Sequence, residues 1–265
     1  MSYANILLEQ EGPIAILSIN RPEKRNAMNL ATRREISAAL DAIAVDDGIR
    51  VLVVTGVGEK AFIAGSDLTE FGRLSPLEVY EFGNTYGQRL YSRFEDLPIP
   101  VIAMVNGMSF GGGLEVALAC DFRIASENAA FGQLEILLGV MPSSGGTQRL
   151  PRLIGSGRAR QMIFTGEILS AEEALRVGLV NQVVPLPDLR STVLGIAEKI
   201  ARNGCISLQM AKKALLMSQE VGLHAGLAYE TLCQTACFTS PDREEGMASF
   251  FEKRSPVFTS TNPRF

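Results

Sequence analysis

Two short runs constrain this chain more than any other feature. Val51-Leu52-Val53-Val54-Thr55-Gly56 and Val101-Ile102-Ala103-Met104-Val105 are rich in β-branched residues and apolar at nearly every position. Side chains alternate across a strand, so such a run presents apolar surface to both sides and must be covered on both. Each run leads through a glycine-containing turn into a helix-like stretch, at 76–96 after the first and 114–120 after the second. Strand-like segments come next at 122–125 and 129–131. This alternation predicts an α/β fold with a largely parallel sheet.

Flanking signals fill in the rest. Residues 6–10 and 14–20 read as a β-hairpin turned by Glu11-Gly12-Pro13. Asn29 is placed to cap a helix whose apolar face carries Ile36, Leu40 and Ile43. After about Val184 the strand signals stop. Segments 189–201, 207–218, 223–239 and 242–253 read as helices, and Ser240-Pro241-Asp242 is a helix-start signal. The expected organisation is a core over 1–200 and a helical region over 201–265, with no low-complexity linker between them.

Composition excludes several classes. A net charge of −4 with 20% charged residues gives no general attraction to nucleic acid or anionic membranes. No apolar run approaches the ~20 residues of a membrane span. The first residues lack the basic start of a signal or transit peptide. Four cysteines, Cys120, Cys205, Cys233 and Cys237, have no metal-ligand spacing and read as reduced thiols of a cytoplasmic protein. With one histidine, His224, no metal site is expected.

Two motifs invite other readings. Gly56-Val57-Gly58-Glu59-Lys60-Ala61 fits a dinucleotide fingerprint, which needs a helix to begin within it. The strand-like Phe62-Ile63 immediately after it favours a tight loop. Gly107-Met108-Ser109-Phe110-Gly111 fits a nucleophile elbow, with Asp188 and His224 coming later in the order of a serine hydrolase. His224, however, falls inside a predicted amphipathic helix.

Two carboxylates stand out for where they sit. Glu115 lies in a helix apolar on nearly every face, where an unpaired charge is costly. Glu135 lies in Phe131-Gly132-Gln133-Leu134-Glu135-Ile136-Leu137-Leu138. Just before Glu115 stands Gly111-Gly112-Gly113, where a buried strand turns into a helix. The first amides of a helix lack internal partners, so Gly112 N–H is a candidate donor to an oxygen that gains negative charge.

Six stretches, in order, resemble the crotonase or enoyl-CoA hydratase family. They are Asn20-Arg21-Pro22-Glu23-Lys24-Arg25-Asn26-Ala27-Met28, Lys60-Ala61-Phe62-Ile63-Ala64-Gly65-Ser66-Asp67, and Val105-Asn106-Gly107 through Gly113. Then come Phe131 through Glu135, Gly145-Gly146-Thr147-Gln148-Arg149-Leu150, and Glu245-Gly246-Met247 to Arg254. The resemblance implies a core of repeated β-β-α units with a helical C-terminal trimerisation region, and a trimer or dimer of trimers. It implies an oxyanion hole from the backbone amides of Ser66 and Gly112, although hydratases usually carry alanine at the position of Ser66. It maps the two catalytic glutamates onto Glu115 and Glu135. It puts Lys24, Arg25, Ala27, Ala64, Asp67, Leu68 and Thr69 beside coenzyme A or the substrate cleft, with Phe250 and Lys253 reaching CoA, often from a neighbouring subunit. The segment 68–90 is expected to shape the acyl pocket. The implied reaction adds water to a 2-enoyl-CoA, with no cofactor apart from the CoA of the substrate. Other acyl-CoA reactions of the family (isomerisation, C–C hydrolysis, decarboxylation) stay open. So does RNA binding, which the acidic balance disfavours.

Overall fold

The computed structural model describes residues 3–261. Ten strands run in chain order: β1 (Ile6–Glu11), β2 (Ile14–Ile19), β3 (Val51–Gly56), β4 (Ala61–Ile63), β5 (Val101–Val105), β6 (Met108–Phe110), β7 (Phe122–Ser126), β8 (Ala130–Gly132), β9 (Ile168–Ser170) and β10 (Gln182–Val184). They form two sheets. The larger has the order β1-β2-β3-β5-β7-β10, the smaller β4-β6-β8-β9. Apart from the β1/β2 hairpin and the β8/β9 pair, neighbours are parallel.

The β-β-α repeat has a simple geometry. In each of the pairs β3/β4, β5/β6 and β7/β8 the first strand joins the large sheet and the second the small one. Helical segments come after each pair. Three parallel strands, β4, β6 and β8, therefore lie side by side and end at one edge of the small sheet.

The continuous apolar runs are explained by two packed faces. Leu52 and Val54 of β3, with Val101, Ala103 and Val105 of β5, join the main core. Val51, Val53, Ile102 and Met104 face a second cluster. The helix Leu186–Ala201 covers that second face with Leu189, Val193, Ala197 and Ala201, four residues apart.

Local signals are used as the sequence suggests. The side chain of Asn29 accepts from Thr32 N–H and caps the helix Leu30–Ala44. Ser240 caps Pro241–Glu252. The stretch expected at 76–96 is helical throughout, but its middle, Gly83–Arg89, widens to a π-helix between Pro76–Phe82 and Leu90–Asp96. The helix expected to begin at Leu114 begins two residues earlier, at Gly112. Beyond Val184 the described residues form helices and connecting turns only, with Cys205–Met217, Leu223–Phe238 and Pro241–Glu252 completing the tail.

Candidate active site

The ends of β4, β6 and β8 build the site. Past β4 the chain runs Ala64-Gly65-Ser66, and Gly65 adopts φ +116°, a conformation reserved for glycine. Past β6, Gly111 takes φ +49° and the helix Gly112–Ala119 begins. Past β8 come Gln133, Leu134 and Glu135. Strand register brings Ile63 opposite Ser109 and Phe110 opposite Gly132, so the three exits are adjacent. The close approach is strict at Gly113: a Cβ there would stand 2.0 Å from the carbonyl oxygen of Ile63.

Two amides converge at these exits. Met28 pairs with Ser66 in a parallel bridge, which uses Met28 N–H on Gly65 O and Asp67 N–H on Met28 O. Ser66 N–H is left without an acceptor among the described residues. Gly112 N–H, in the first turn of its helix, is equally open. The centres are close, since a Cβ on Gly112 would lie 3.4 Å from Ser66 Oγ.

The carboxylates differ in how they are held. Glu115, 2% exposed, sits one turn into the helix. Its Oε1 accepts from Ser144 N–H at 2.7 Å and Gly146 N–H at 2.8 Å. Burial raises its pKa, while those two amides and the charges of Arg33 and Arg149 oppose the rise. Glu135 opens a short 3₁₀ turn, Glu135–Leu138. Its carboxylate abuts Gly111, where a Cβ would come within 2.9 Å of Oε1. Burial, with the charge of Glu115 adding to it, pushes Glu135 up to about 7. The buried Gln133 amide, with its nitrogen toward Glu135, donates to both carboxylate oxygens at 3.0 and 3.2 Å.

The segment at Lys24, Arg25 and Ala27 packs beside the Ser66 loop. Ala64 N–H donates to Arg25 O at 3.1 Å, and Arg21 bridges Asp67 at 3.1 Å while also donating to Ala27 O. Asp67 caps Leu68–Phe71 through Thr69, and the Thr69 hydroxyl is the chief cause holding its carboxyl below the usual range. A cleft of about 400 Å³ opens at Ser66 between Met28, Leu30, Phe71, Leu74 and Phe82, within the segment expected to shape the acyl pocket. Phe250 and Lys253 are not brought to this centre within one chain. They end the last helix, which packs extensively on no other element, and Phe250 is 76% exposed.

The two decoys resolve. Gly56 to Ala61 leads into β4 rather than a helix; a Cβ on Gly56 would strike Phe62 O at 2.2 Å, so Gly56 serves packing, and Gly58 serves the turn at φ +86°. Ser109 is fully buried in β6 with no hydrogen-bond partner for its hydroxyl, while His224 is exposed on the Leu223–Phe238 helix. The serine-hydrolase reading fails on that geometry. Among the described residues no cluster of metal-ligating side chains occurs, and no helix is long and apolar enough to cross a membrane.

Sequence reasoning misses four contributors. Ser144 and Gly146 hold Glu115 by backbone N–H, which leaves no side-chain signal. Gln133 sits two residues before Glu135 but reads as a loop residue. Arg33, 1% exposed, donates to Tyr91 Oη at 2.7 Å and to Ser66 Oγ at 2.8 Å. Its signal is present, because 33, 36, 40 and 43 share the buried helix face.

Known proteins match this arrangement along almost the whole chain. The family model for enoyl-CoA hydratase/isomerase matches residues 9–261. A crotonyl-CoA hydratase of Syntrophomonas wolfei is 43% identical over 98% of this chain and 100% of its own. A short-chain-enoyl-CoA hydratase of Clostridium acetobutylicum is 42% identical over 96% and 97%. The solved structure of an enoyl-CoA hydratase from Bacillus anthracis superposes with a TM-score of 0.93 at 42% identity, covering 96% of this chain and 99% of that one. The chain belongs to the enoyl-CoA hydratase/isomerase family.

Proposed function

We propose that the protein is an enoyl-CoA hydratase, adding water across the α,β double bond of a 2-enoyl-CoA to give the 3-hydroxyacyl-CoA. One observation carries the site assignment. Two open amides, Ser66 and Gly112, and two interacting carboxylates, the buried Glu115 and the half-buried Glu135, converge at the ends of three neighbouring strands. The thioester oxygen accepts from both amides. Charge that builds there as the double bond is attacked meets donors already in place, each worth about 3–4 kcal/mol in systems where one has been removed.

The carboxylates divide the proton work. Glu115, oriented by two backbone N–H groups, positions the water and takes its proton as the oxygen bonds to the β-carbon. Glu135, held near neutrality, gives a proton to the α-carbon. Return of the proton from Glu115 to Glu135 through the next water resets the pair. Because the two interact, their ionisations belong to the pair. No cofactor is assigned beyond the CoA that the substrate carries.

Lys24, Arg25, Ala27, Ala64, Asp67, Leu68 and Thr69 are assigned to CoA and the cleft mouth, and Phe250 and Lys253 to CoA bound by a neighbouring copy. The region 201–265 is assigned to assembly into a trimer or a dimer of trimers. The free thiols, three of them buried, suit a reducing cytoplasm.

The test is loss of the enoyl-thioester absorbance of crotonyl-CoA, beside Glu115→Gln and Glu135→Gln. Rapid loss in the wild type that collapses in both variants supports the reading. A folded wild type that binds CoA yet hydrates no short, long, branched or aromatic enoyl-CoA overturns it in favour of another reaction of the family.

A further inference from the structure

Two arginines are buried without a carboxylate partner at salt-bridge distance among the described residues, Arg33 and Arg123. They are spent differently. Arg123 donates to the carbonyls of Leu179, Ala117 and Cys120, knitting backbone together. Arg33 donates to one carbonyl, Tyr86 O in the π-helical stretch, and to two hydroxyls, Tyr91 Oη and Ser66 Oγ. Its Nε is buried with no partner. Its guanidinium also lies 4.9 Å from the centroid of the Phe82 ring and 5.3 Å from that of Tyr91.

A buried cation is costly unless something compensates it. Nothing anionic bonds Arg33 here, yet its surroundings point to the Gly112 amide. A Cβ built on Gly112 would meet Tyr91 Oη at 3.3 Å, Ser66 Oγ at 3.4 Å and Arg33 Nη2 at 3.5 Å. The three polar groups pack around the α-carbon of the residue that bears one oxyanion donor, and Ser66 itself supplies the other.

We infer that Arg33 is a positioning residue of the oxyanion hole, holding Ser66 and Tyr91 against Gly112 and placing a fixed positive charge behind the thioester oxygen. The inference rests on the hydratase reading. Glu115, not bonded to Arg33 but favoured by it in the ionised form, answers part of the buried charge, and the enolate-like oxygen, which exists only as the reaction proceeds, adds to it. An interaction stronger in the transition state than in the bound substrate raises kcat and leaves KM nearly unchanged. Because Ser66 Oγ and Tyr91 Oη accept from Arg33, both hydroxyls are polarised with their protons directed elsewhere. Burial pushes Tyr91 up to about 12, so its proton stays on. Serine in place of the family's usual alanine thus has a use: its hydroxyl couples the loop bearing one donor to the cation.

The experiment compares wild type with Arg33→Met, Arg33→Lys, Ser66→Ala and Tyr91→Phe. It measures kcat and KM with crotonyl-CoA, thermal stability, and the absorption band of bound 4-dimethylaminocinnamoyl-CoA. That band moves to longer wavelength as the thioester carbonyl is polarised. Arg33→Met is expected to lower kcat roughly 30- to 300-fold with KM within threefold, and to lose part of the band shift. Arg33→Lys recovers part of both. Ser66→Ala lowers kcat roughly 10-fold although alanine is usual in relatives, and adds little once Arg33 is already methionine. A folded Arg33→Met enzyme with the full band shift and kcat within threefold of wild type overturns the inference. So does a kcat loss in which Arg33→Lys recovers neither kcat nor the band. If Arg33→Met fails to fold, Ser66→Ala and Tyr91→Phe decide, since each removes a single oxygen. The full wild-type band shift and an unchanged kcat in both overturn the inference. A wild type that binds the cinnamoyl thioester but hydrates nothing sinks the hydratase reading, while the band shifts still decide the role of Arg33.

Discussion

The Ser66–Gly112 centre and the C-terminal tail are made to opposite specifications. Around the centre β4 is wholly buried and β6 and β8 partly so, Gly113 packs against the backbone of Ile63, and even the cation Arg33 is enclosed. The tail turns apolar side chains outward. Leu223, Leu232, Phe250 and Phe251 are each at least two-thirds exposed in the single chain. A buried anchor is Lys212, which donates to Phe94 O and Ile99 O, both at 3.0 Å, and pairs with Asp121 at 2.9 Å. The residues of the centre are brought together inside one chain, whereas an exposed apolar surface of this kind is the sort that marks interaction sites.

The largest test of that contrast lies in the centre. Glu115→Gln and Glu135→Gln should each lower kcat about 10²–10⁴-fold with CoA binding retained, read by enoyl-thioester absorbance and by calorimetry. Tail variants should approach no such loss. Next comes Gly113→Ala, whose methyl meets Ile63 O. It should cost about 2–3 kcal/mol in urea denaturation, or prevent folding, and a tolerated alanine would mean that the strand exits are looser than described. In the tail, Leu232→Asp should split the assembly into smaller species by sedimentation. It should raise KM several-fold while kcat stays within an order of magnitude. A collapse of kcat would show that the centre is not self-contained after all.

The smallest expected effect concerns stability and pH. Glu135 is raised from 4.5 to about 7 in the folded state, so folding favours its protonated form. The unfolded chain releases that proton earlier, and stability falls as pH rises between these values. Glu135→Gln, which cannot ionise, should therefore stabilise the protein by about 1–2 kcal/mol at pH 8 after solvent screening, with little effect at pH 4. Thermal melts at the two pH values check it. Equal shifts at both would mean that packing rather than ionisation separates the variants.

Much of the molecule is legible in the sequence wherever one physical requirement dominates a segment. Runs of β-branched residues at 51–56 and 101–105 require burial on both faces, and they form the middle of the large sheet. Asn29 and Ser240 announce helix starts because a side-chain acceptor satisfies orphan amides. Glu115 is conspicuous as a charge in an apolar helix. The dinucleotide-like and elbow-like motifs mislead only in isolation, since the meaning of each depends on the groups packed around it. Arg33 is easily overlooked although its helical spacing puts it on the buried face, because a basic pair, Arg33-Arg34, reads as surface charge.

The sequence by itself determined the alternation of buried strands and helices and the helical tail, and it made Glu115 and Glu135 candidates, because period, caps and glycine spacing act over a few neighbouring residues; the strand-strand-helix repeat was what the family resemblance implied. Only the tertiary structure decided that Ser144 and Gly146 amides orient Glu115, that Gln133 turns its amide onto Glu135, and that Arg33 stands behind Gly112. The first and last of these join residues far apart in the chain, and the first passes through backbone amides that every residue but proline shares.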